Sequence, residues 1–255
     1  MTNKQRTDLN EGYIREHKYA DLGTLADHFG GSLSTVRRAL DQLEARGIVR
    51  RHHGGASFVE TDVLALEYDY IARNQRNPDQ QFAIASLVAS QVQPGMTVIL
   101  DGGSSTYTVA RLLVEKRLQV ITNSLPIASL FSEIGSVETI VTGGSIYARL
   151  GVLVGPLCEQ SFEQTHADLA ILGGAGITES GVWNHNAGIV AAQRKMIAAA
   201  ERTIFALDNS KFGRKALSLT APFDQRFTIV TDTRPPAAVA RAINAAGAKL
   251  TLAGK

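Results

Sequence analysis

The chain has 255 residues, of which 44% are hydrophobic and 20% charged, and its formal net charge is +2. This composition is ordinary for a globular protein, and the length exceeds that of most single domains, so two domains are expected. No apolar run approaches the ~20 residues that a membrane-spanning helix needs, the first residues lack an apolar signal segment, and the single Cys158 cannot form an intrachain disulfide. We therefore expect no membrane contact and a reducing, cytoplasmic location.

Three short helices are predicted at the beginning of the chain. The first covers residues 4–17 and carries Arg6, which can either contact phosphate or simply be exposed. Asp21 is a plausible N-cap for the second helix, residues 22–29.

The third helix has the pattern of a recognition helix. Val36, Leu40 and Leu43 recur at i, i+4 and i+7 and therefore share one helical face, whereas Arg37 and Arg38 point away from that face. Either Ser32 or Ser34 can cap its start, and Gly47 stands where a C′ glycine should end it.

A short β-like run with a cationic tip and a glycine turn follows at residues 48–55. From residue 33 to residue 53 there are five arginines against two acidic residues, a local net charge of +3. A helix N-terminus and a basic hairpin both suit DNA phosphates, and arginines can also pair with guanine. Charge alone equally fits a solvated amphipathic helix.

This stretch resembles the winged helix-turn-helix of the DeoR family of bacterial transcription regulators. The family pattern is a threonine, a hydrophobic residue and Arg-Arg-Asp-Leu, closed by an Arg-x-His-Gly-Gly-Ala wing. The matches here are Thr35, Val36, Arg37, Arg38, Leu40, Arg51, His53, Gly54, Gly55 and Ala56. Ala39, Gly31 and Leu33 depart from the pattern. The DNA-contacting residues that we expect are Arg6, Ser32, Ser34, Thr35, Arg37, Arg38, Arg51, His53 and Gly54.

A connector is predicted between the two domains. Residues 58–70 are acidic, and residues 73–78 are polar and end in a proline, which disfavours helix. The expected division is a DNA-binding domain at 1–58, a connector at 59–78 and an α/β domain at 79–255, beginning with a helix at 79–92.

From residue 94 onward strands, polar turns and helices alternate, which predicts an α/β domain with a largely parallel sheet. The expected strands are 98–100, 119–121, 139–141, 169–172, 203–207, 227–231 and 249–252. The expected helices are 107–115, one opening at Pro126, 189–200 and 236–246. Five successive strands end in polar clusters, and ligands bind at the carboxyl ends of such strands, so these clusters should converge on one site.

The segment from Asp101 to Thr106 is the best phosphate-binding candidate. Two glycines allow close backbone approach, three hydroxyls add donors, and a helix N-terminus follows. An ordinary strand-to-helix turn is the alternative. The segment is neither a Walker A loop nor a Gly-x-Gly-x-x-Gly motif.

Other polar residues in this half each have two interpretations. Asp208 and Lys211 fit a phosphate or sugar hydroxyl, or a surface ion pair. Arg149 fits an anion contact or an exposed side chain. Asn123 and Ser124 fit hydroxyl contacts or a turn. The insert with Trp183, His185 and Asn186 fits a pocket lid or a surface loop.

These residues again resemble the DeoR family, in its effector domain. The family pattern in this domain is Asp-x-Gly-Ser/Thr-Thr, Thr-Asn, Gly-Gly, Gly-x-x-Gly and Asp-x-Ser-Lys-Phe. Together with the helix-turn-helix matches, the matches to this pattern span roughly residues 4–235 in the order of the family. One departure is that Ile189-Val190 and Gln193 stand where the family often has a Glu-Ala pair and a lysine. The expected effector-binding residues are Asp101, Gly102, Gly103, Ser104, Ser105, Thr106, Thr122, Asn123, Ser124, Gly143, Gly144, Arg149, Gly173, Gly174, Asp208 and Lys211.

The resemblance implies an N-terminal winged helix-turn-helix and an α/β domain similar to ribose-5-phosphate isomerase, glucosamine-6-phosphate deaminase and CoA transferases. It also implies a repressor of a carbohydrate operon that a phosphorylated sugar, or a metabolite derived from a sugar, releases from double-stranded DNA. A homodimer or homotetramer is expected because operators are often paired half-sites. No cofactor, metal or catalytic residue is expected. The alternatives are a sugar-phosphate isomerase or deaminase, and a regulator whose ligand carries no phosphate.

Overall fold

The computed structural model describes residues 13–14, 17, 19–29, 32–45, 48–52, 54–58, 78–135 and 137–254. Residue contacts divide the chain into two compact units, Met1–Leu66 and Glu67–Lys255. Arg6, His53, Gly31 and Gly47, much of the first predicted helix and nearly all of the predicted connector lie outside the described residues.

The first unit packs helices against a small antiparallel sheet. Its described elements are β1 (Tyr19–Asp21), α1 (Leu22–Phe29), α2 (Leu33–Ala45), β2 (Val49–His52) and β3 (Gly55–Phe58). The strand order is β1-β3-β2, so the predicted hairpin gains a third strand from the segment before α1.

The core of the first unit confirms the predicted helical face. Val36, Leu40 and Leu43 are buried together with Ile14 and Leu25. Because these helices are short and share one small core, each depends on the others for burial of its apolar face.

The predicted N-cap Asp21 is confirmed, and of the two candidates for the start of α2 it is Ser32 that accepts the capping hydrogen bond. Asp21 Oδ1 accepts a hydrogen bond from the Thr24 backbone N–H at 2.9 Å, and Ser32 Oγ accepts one from the Thr35 N–H at 3.3 Å. Each side chain satisfies a backbone donor that has no partner within the helix.

The second unit is built on the predicted parallel sheet. Its seven strands are β4 (Thr97–Leu100), β5 (Gln119–Thr122), β6 (Glu138–Val141), β9 (Ala167–Leu172), β12 (Ala200–Ala206), β14 (Phe227–Thr231) and β15 (Lys249–Leu252). Their order across the sheet is β15-β14-β12-β9-β4-β5-β6. The smaller strands are β7 (Ser145–Tyr147), β8 (Val152–Val154), β10 (Gly176–Thr178), β11 (Gly181–Asn184) and β13 (Ser218–Ala221).

Helices cover both faces of this sheet. The helices are α3 (Pro78–Ser90), α4 (Ser104–Leu113), α5 (Leu125–Ile134), α6 (Pro156–Glu163), α7 (Ala187–Ala199) and α8 (Ala237–Ala245). Val98 and Leu100 pack into the cluster formed with α3, α4 and α5, whereas Ile99 packs into the cluster formed with α6, α7 and α8. This alternation is why the strands read as continuous apolar runs, since both faces are buried.

The sheet reverses its strand order between β4 and β9. The chain builds outward from β4 through β5 to β6, then returns to the other side of β4 as β9 and builds outward again. Ligands of open α/β sheets bind at such a switch point, beyond the carboxyl ends of the strands. The residues that follow β4 and β9 directly are Asp101 and Gly173.

Several elements differ from the predictions. The helix predicted to begin at Tyr107 begins at Ser104, because the Tyr107 N–H already donates to the Gly103 carbonyl at 2.9 Å. Helix α6 and the five smaller strands of the second unit were not predicted. In the part of the chain that the structure describes, no helix has the length and apolar character that crossing a membrane requires.

Candidate functional site

The outer face of α2 is polar and cationic. Ser32, Ser34, Arg37 and Arg38 are exposed, and Thr35 is half-buried. Ser32 Oγ lies 2.8 Å from Ser34 Oγ and 2.9 Å from Thr35 Oγ1. The predicted DNA-contacting residues of α2 therefore share one surface at its start, where backbone N–H groups and two arginines can meet phosphates or base edges.

Arg51, another predicted DNA-contacting residue, is held by contacts within the first unit. Its guanidinium forms an ion pair with Asp41 of α2, and its backbone N–H donates to Glu44 Oε1 at 2.9 Å. These contacts hold strand β2 against α2. They also compete with any phosphate for Arg51.

The turn between β2 and β3 depends on Gly54. Its φ of 102° is one that residues with a side chain rarely adopt, and its carbonyl accepts from the Leu22 N–H at 2.9 Å. Gly54 therefore shapes the hairpin and joins it to the start of α1. The other predicted contacts, Arg6 and His53, lie outside the described residues.

In the second unit, Asp101 is the centre of a buried polar cluster. Asp101 is only 2% exposed, and its Oδ2 accepts a hydrogen bond from Gln193 Nε2 at 2.7 Å. Backbone N–H groups of Gly102 and Gly173 also donate to its carboxylate. Burial raises the pKa of Asp101 to about 6, against the opposing effect of these donors.

Gln193 links Asp101 to the small strands β11 and β13. It is 0% exposed, and its Nε2 also donates to the Gly173 carbonyl at 3.2 Å. Its Oε1 accepts from Thr220 Oγ1 at 3.1 Å and from Asn184 Nδ2 at 3.3 Å. The four hydrogen bonds fix the orientation of the amide, with its donor towards Asp101.

The predicted phosphate segment forms the turn into α4. A Cβ on Gly102 would lie 2.1 Å from Val152 Cγ1, so only glycine fits beneath β8. Gly103 is the N-cap of α4 and supplies no side-chain hydrogen bond. Ser104 and Ser105 are half-buried, whereas Thr106 is buried and donates to the Gly103 carbonyl at 3.0 Å. The first turn of α4 therefore presents uncapped N–H groups beside two serine hydroxyls.

The end of β5 supplies three buried polar side chains. Thr122 Oγ1 donates to the Leu100 carbonyl at 2.6 Å, and Ser124 Oγ accepts from the Ile127 N–H at 3.4 Å as the cap of α5. Asn123 Nδ2 donates to the Leu153 carbonyl at 2.9 Å. Asn123 Oδ1 is buried with no hydrogen-bond partner among the described residues. Thr122 and Ser124 thus serve the fold, and Asn123 retains a free acceptor.

Gly144 and Arg149 lie next to strand β8, whereas Gly174 packs against β11. Gly143 and Gly144 follow β6, and a Cβ on Gly144 would lie 2.7 Å from the Val154 carbonyl oxygen. Arg149 is half-buried in the turn Ala148–Leu150, which leads into β8. A Cβ on Gly174 would lie 2.8 Å from Val182 Cγ1, which indicates a packing role for this glycine.

Asp208 and Lys211 lie at the end of β12, one strand beyond β9. Asp208 Oδ1 accepts from the Ser210 N–H at 2.8 Å and caps the turn Asn209–Lys211. Lys211 is half-buried. Within the described ranges, no hydrogen bond or ion pair links Asp208 or Lys211 to Asp101, so the strand-end clusters are brought to one edge but not into direct contact.

The insert around Trp183 has structural contacts of its own. Trp183 Nε1 donates to Thr178 Oγ1 at 2.9 Å, and Lys215 Nζ lies 5.9 Å from the indole centroid. Asn186 Oδ1 caps α7 by accepting from the Ile189 N–H at 3.0 Å, whereas His185 is exposed. Among the described residues, no group of three or more His, Cys, Asp or Glu side chains could hold a metal ion.

Sequence reasoning missed two parts of this site. Strand β8 packs against Gly102 and Asn123, and Gln193 reaches Asp101 from α7. A signal existed for Gln193, since it departs from the family pattern. None is visible for β8, which is three residues long.

Comparison with protein families agrees with both units. Residues 6–62 match the DeoR-like helix-turn-helix domain, and residues 76–233 match the DeoR C-terminal sensor domain. Among solved structures, ribose 5-phosphate isomerase A from Methanocaldococcus jannaschii aligns with 53% of this chain and 54% of its own, at 17% identity and a TM-score of 0.38.

Curated relatives align over nearly the whole chain. The putative aga operon transcriptional repressor of Escherichia coli O157:H7 is 31% identical over 95% of this chain and 91% of its own length. The transcriptional repressor AccR of Agrobacterium fabrum is 34% identical over 86% of each chain. The glycerol-3-phosphate regulon repressor of Escherichia coli K12 is 29% identical over 89% of each. Since both domains match in order, the chain belongs to the DeoR family of transcriptional regulators.

Proposed function

We propose that the protein represses a carbohydrate catabolic operon and leaves its operator when a phosphorylated sugar, or a metabolite derived from one, binds the second unit. The observations that carry the sensing half are the uncapped first turn of α4 and the buried Asn123 Oδ1, which follow the paired strands β4 and β5. An anion fits the N–H groups and the positive end of the helix dipole. A sugar hydroxyl fits the buried acceptor that lacks a partner.

The relatives support the choice of operon. One is named for the aga operon and another for the glycerol-3-phosphate regulon. For the effector we assign the main role to the first turn of α4, Asn123 and the Asp101 turn. Lys211 and Arg149 are proposed as further anion contacts at the same edge, because each is a half-buried cation that follows a strand end or leads into β8.

DNA binding is assigned to the exposed face at the start of α2. Arg37 and Arg38 reach base edges or phosphates, with the serine hydroxyls beside them. Operators are often paired half-sites, so the protein is proposed to act as a homodimer or homotetramer in the cytoplasm, where the operator lies. The proposed boundaries remain 1–58, 59–78 and 79–255.

The test is fluorescence anisotropy with DNA from upstream of the protein's own gene, at fixed salt because affinity for DNA depends steeply on salt. Sugars and their phosphates are titrated in matched pairs. Release by one phosphorylated compound, but not by its parent sugar, supports the proposal. Release by the parent sugar alone favours a regulator whose ligand carries no phosphate.

Arg37→Ala separates the two halves of the proposal. It should weaken operator binding and leave effector binding unchanged, whereas Arg241→Ala, a change of the same exposed residue type on α8, should alter neither. Unchanged operator affinity in Arg37→Ala would refute the assignment of α2.

The enzymatic alternative requires a general base with access to substrate. Asp101 has a suitable pKa, but the residue is only 2% exposed, and its carboxylate accepts hydrogen bonds from Gln193 and two backbone N–H groups. We therefore place Asp101 among the residues that shape the site. Turnover of any sugar phosphate in a steady-state isomerase or deaminase assay would overturn this view.

A further inference from the structure

The position of Asp101 creates an electrostatic conflict with the proposed effector. Asp101 directly precedes the Gly102–Gly103 turn, and α4 begins at Ser104. A negative charge on Asp101 therefore stands three residues before the first residue of α4, whose N–H groups are proposed to hold an anion. Because the cluster is buried, water screens this repulsion weakly.

The surroundings of Asp101 do not neutralise it. From α7 it meets Gln193, a neutral amide, and from the end of β9 it meets the Gly173 N–H. From α6 the nearby titratable group is the Cys158 thiol, whose own pKa is raised, mainly by burial and further by the charges of Glu159 and Asp101. Among the described residues, no lysine, arginine or histidine forms a hydrogen bond or ion pair with Asp101.

We propose that Gln193 is a positioning residue that determines how strongly the effector site binds an anion. Its neutral amide holds the Asp101 carboxylate in place without compensating the charge of Asp101, and that charge opposes an anionic ligand. The inference rests on the proposed function, since it concerns the same site. Loss of the Asp101 charge then favours the bound anion, and by linkage a bound anion favours protonated Asp101.

This arrangement makes anion binding sensitive to pH near neutrality. Burial raises the pKa of Asp101 to about 6, so its carboxyl group is mostly neutral at about pH 5 and mostly charged at about pH 8. Anion affinity should therefore rise as the pH falls through this range. A cation in place of Gln193 should remove the effect, because it would compensate the charge at every pH.

The experiment measures sulfate binding to the full chain by isothermal titration calorimetry at about pH 5 and about pH 8. Sulfate is the probe because its charge does not change in this range, unlike that of a phosphate ester. The wild type should bind sulfate about tenfold more tightly at the lower pH. Gln193→Lys should bind it with nearly the same affinity at both, close to the tighter value.

Two controls isolate the contact. Gln160→Lys adds the same charge at an exposed position of α6 and should keep the wild-type pH dependence. His185→Asn removes an exposed histidine near the start of α7 and should also keep it. If Gln193→Lys fails to fold, the wild-type pH profile still decides, because sulfate affinity that does not vary with pH overturns the proposal.

Operator release by sugar phosphates, measured on the same proteins, separates this inference from the proposed function. Suppose that a sugar phosphate releases the operator. Sulfate affinity that is independent of pH, or that is the same in Gln193→Lys and Gln160→Lys, then refutes only the role of Gln193. No release by any compound refutes the sensing function. Sulfate binding that depends on pH and responds to Gln193→Lys would then still support the coupling, and absence of sulfate binding would refute it.

Discussion

The close packing of Gly102 beneath β8 predicts a strongly coupled pair of substitutions. In Gly102→Ala the new Cβ would lie 2.1 Å from Val152 Cγ1, far inside van der Waals contact, and 3.5 Å from Ser124 Cβ. Val152 and Ser124 are both buried, so neither can move into solvent. We expect a loss of about 2 kcal/mol in the free energy of unfolding, within the range for overpacked cores.

Val152→Ala removes the clashing atom. The added Cβ at residue 102 would then face the Cβ of residue 152 at 3.5 Å, an ordinary contact. Val152→Ala alone should cost about 2 kcal/mol, because it removes two buried methyl groups. The double variant should resemble Val152→Ala rather than the sum of both changes, which corresponds to a coupling energy of about 2 kcal/mol.

Urea unfolding followed by Trp183 fluorescence measures these values, because the single tryptophan lies in the second unit. Gly173→Ala is the matched control. Gly173 follows a neighbouring strand at the same edge, and a Cβ there would meet no heavy atom within 4 Å, so its effect should stay below about 0.5 kcal/mol. Additive losses in the double variant would refute the packing argument.

Three further predictions concern charge and packing. The pKa of Asp101 is raised from 3.8 to about 6, so the folded protein holds this proton more tightly than the unfolded chain. The free energy of unfolding should therefore be highest below about pH 4 and fall by up to ~3 kcal/mol as the pH rises through about 6. Asp101→Asn should lose this pH dependence, as measured by urea unfolding. Asp41→Asn frees Arg51 for phosphate, so the plot of log affinity for the operator against log salt should steepen by about one; an unchanged slope would mean that Arg51 does not reach DNA. Leu40→Ala should destabilise the first unit by about 2–5 kcal/mol in far-UV circular dichroism, with the Trp183 transition unchanged; a matching shift in that transition would show that the units unfold together.

The parts of the fold with a strong local pattern were predictable from sequence. Val36, Leu40 and Leu43 recur at the helical period, and the apolar strands end at polar residues such as Asp101 and Asn123. Both patterns follow from short-range geometry, since side-chain periodicity and the polarity of strand ends are visible within a few residues.

The contacts that complete the site are long-range and leave little local trace. Gln193 meets Asp101 across 92 positions of sequence, from an alanine-rich helix whose pattern indicates only packing. Strand β8 is too short for an alternating pattern, and its role depends on the glycine beneath it. Thr122 and Ser124 have polar side chains of the type that binds sugars, yet their hydrogen bonds are used within the fold.

The pairing of β4 with β9 has a consequence for synthesis of the protein in the cell. Thr97 at the start of β4 donates to Asp168 in β9, 71 residues later in the chain. While the ribosome makes the intervening segment, β4 can pair with β5 on one side only, and its other edge stays unpaired. The DNA-binding unit, by contrast, is built from nearby residues and can fold as soon as it emerges. Each new molecule therefore passes through a stage in which the DNA-binding unit can already be folded while the sensor still exposes an unpaired strand edge, to which another chain can pair.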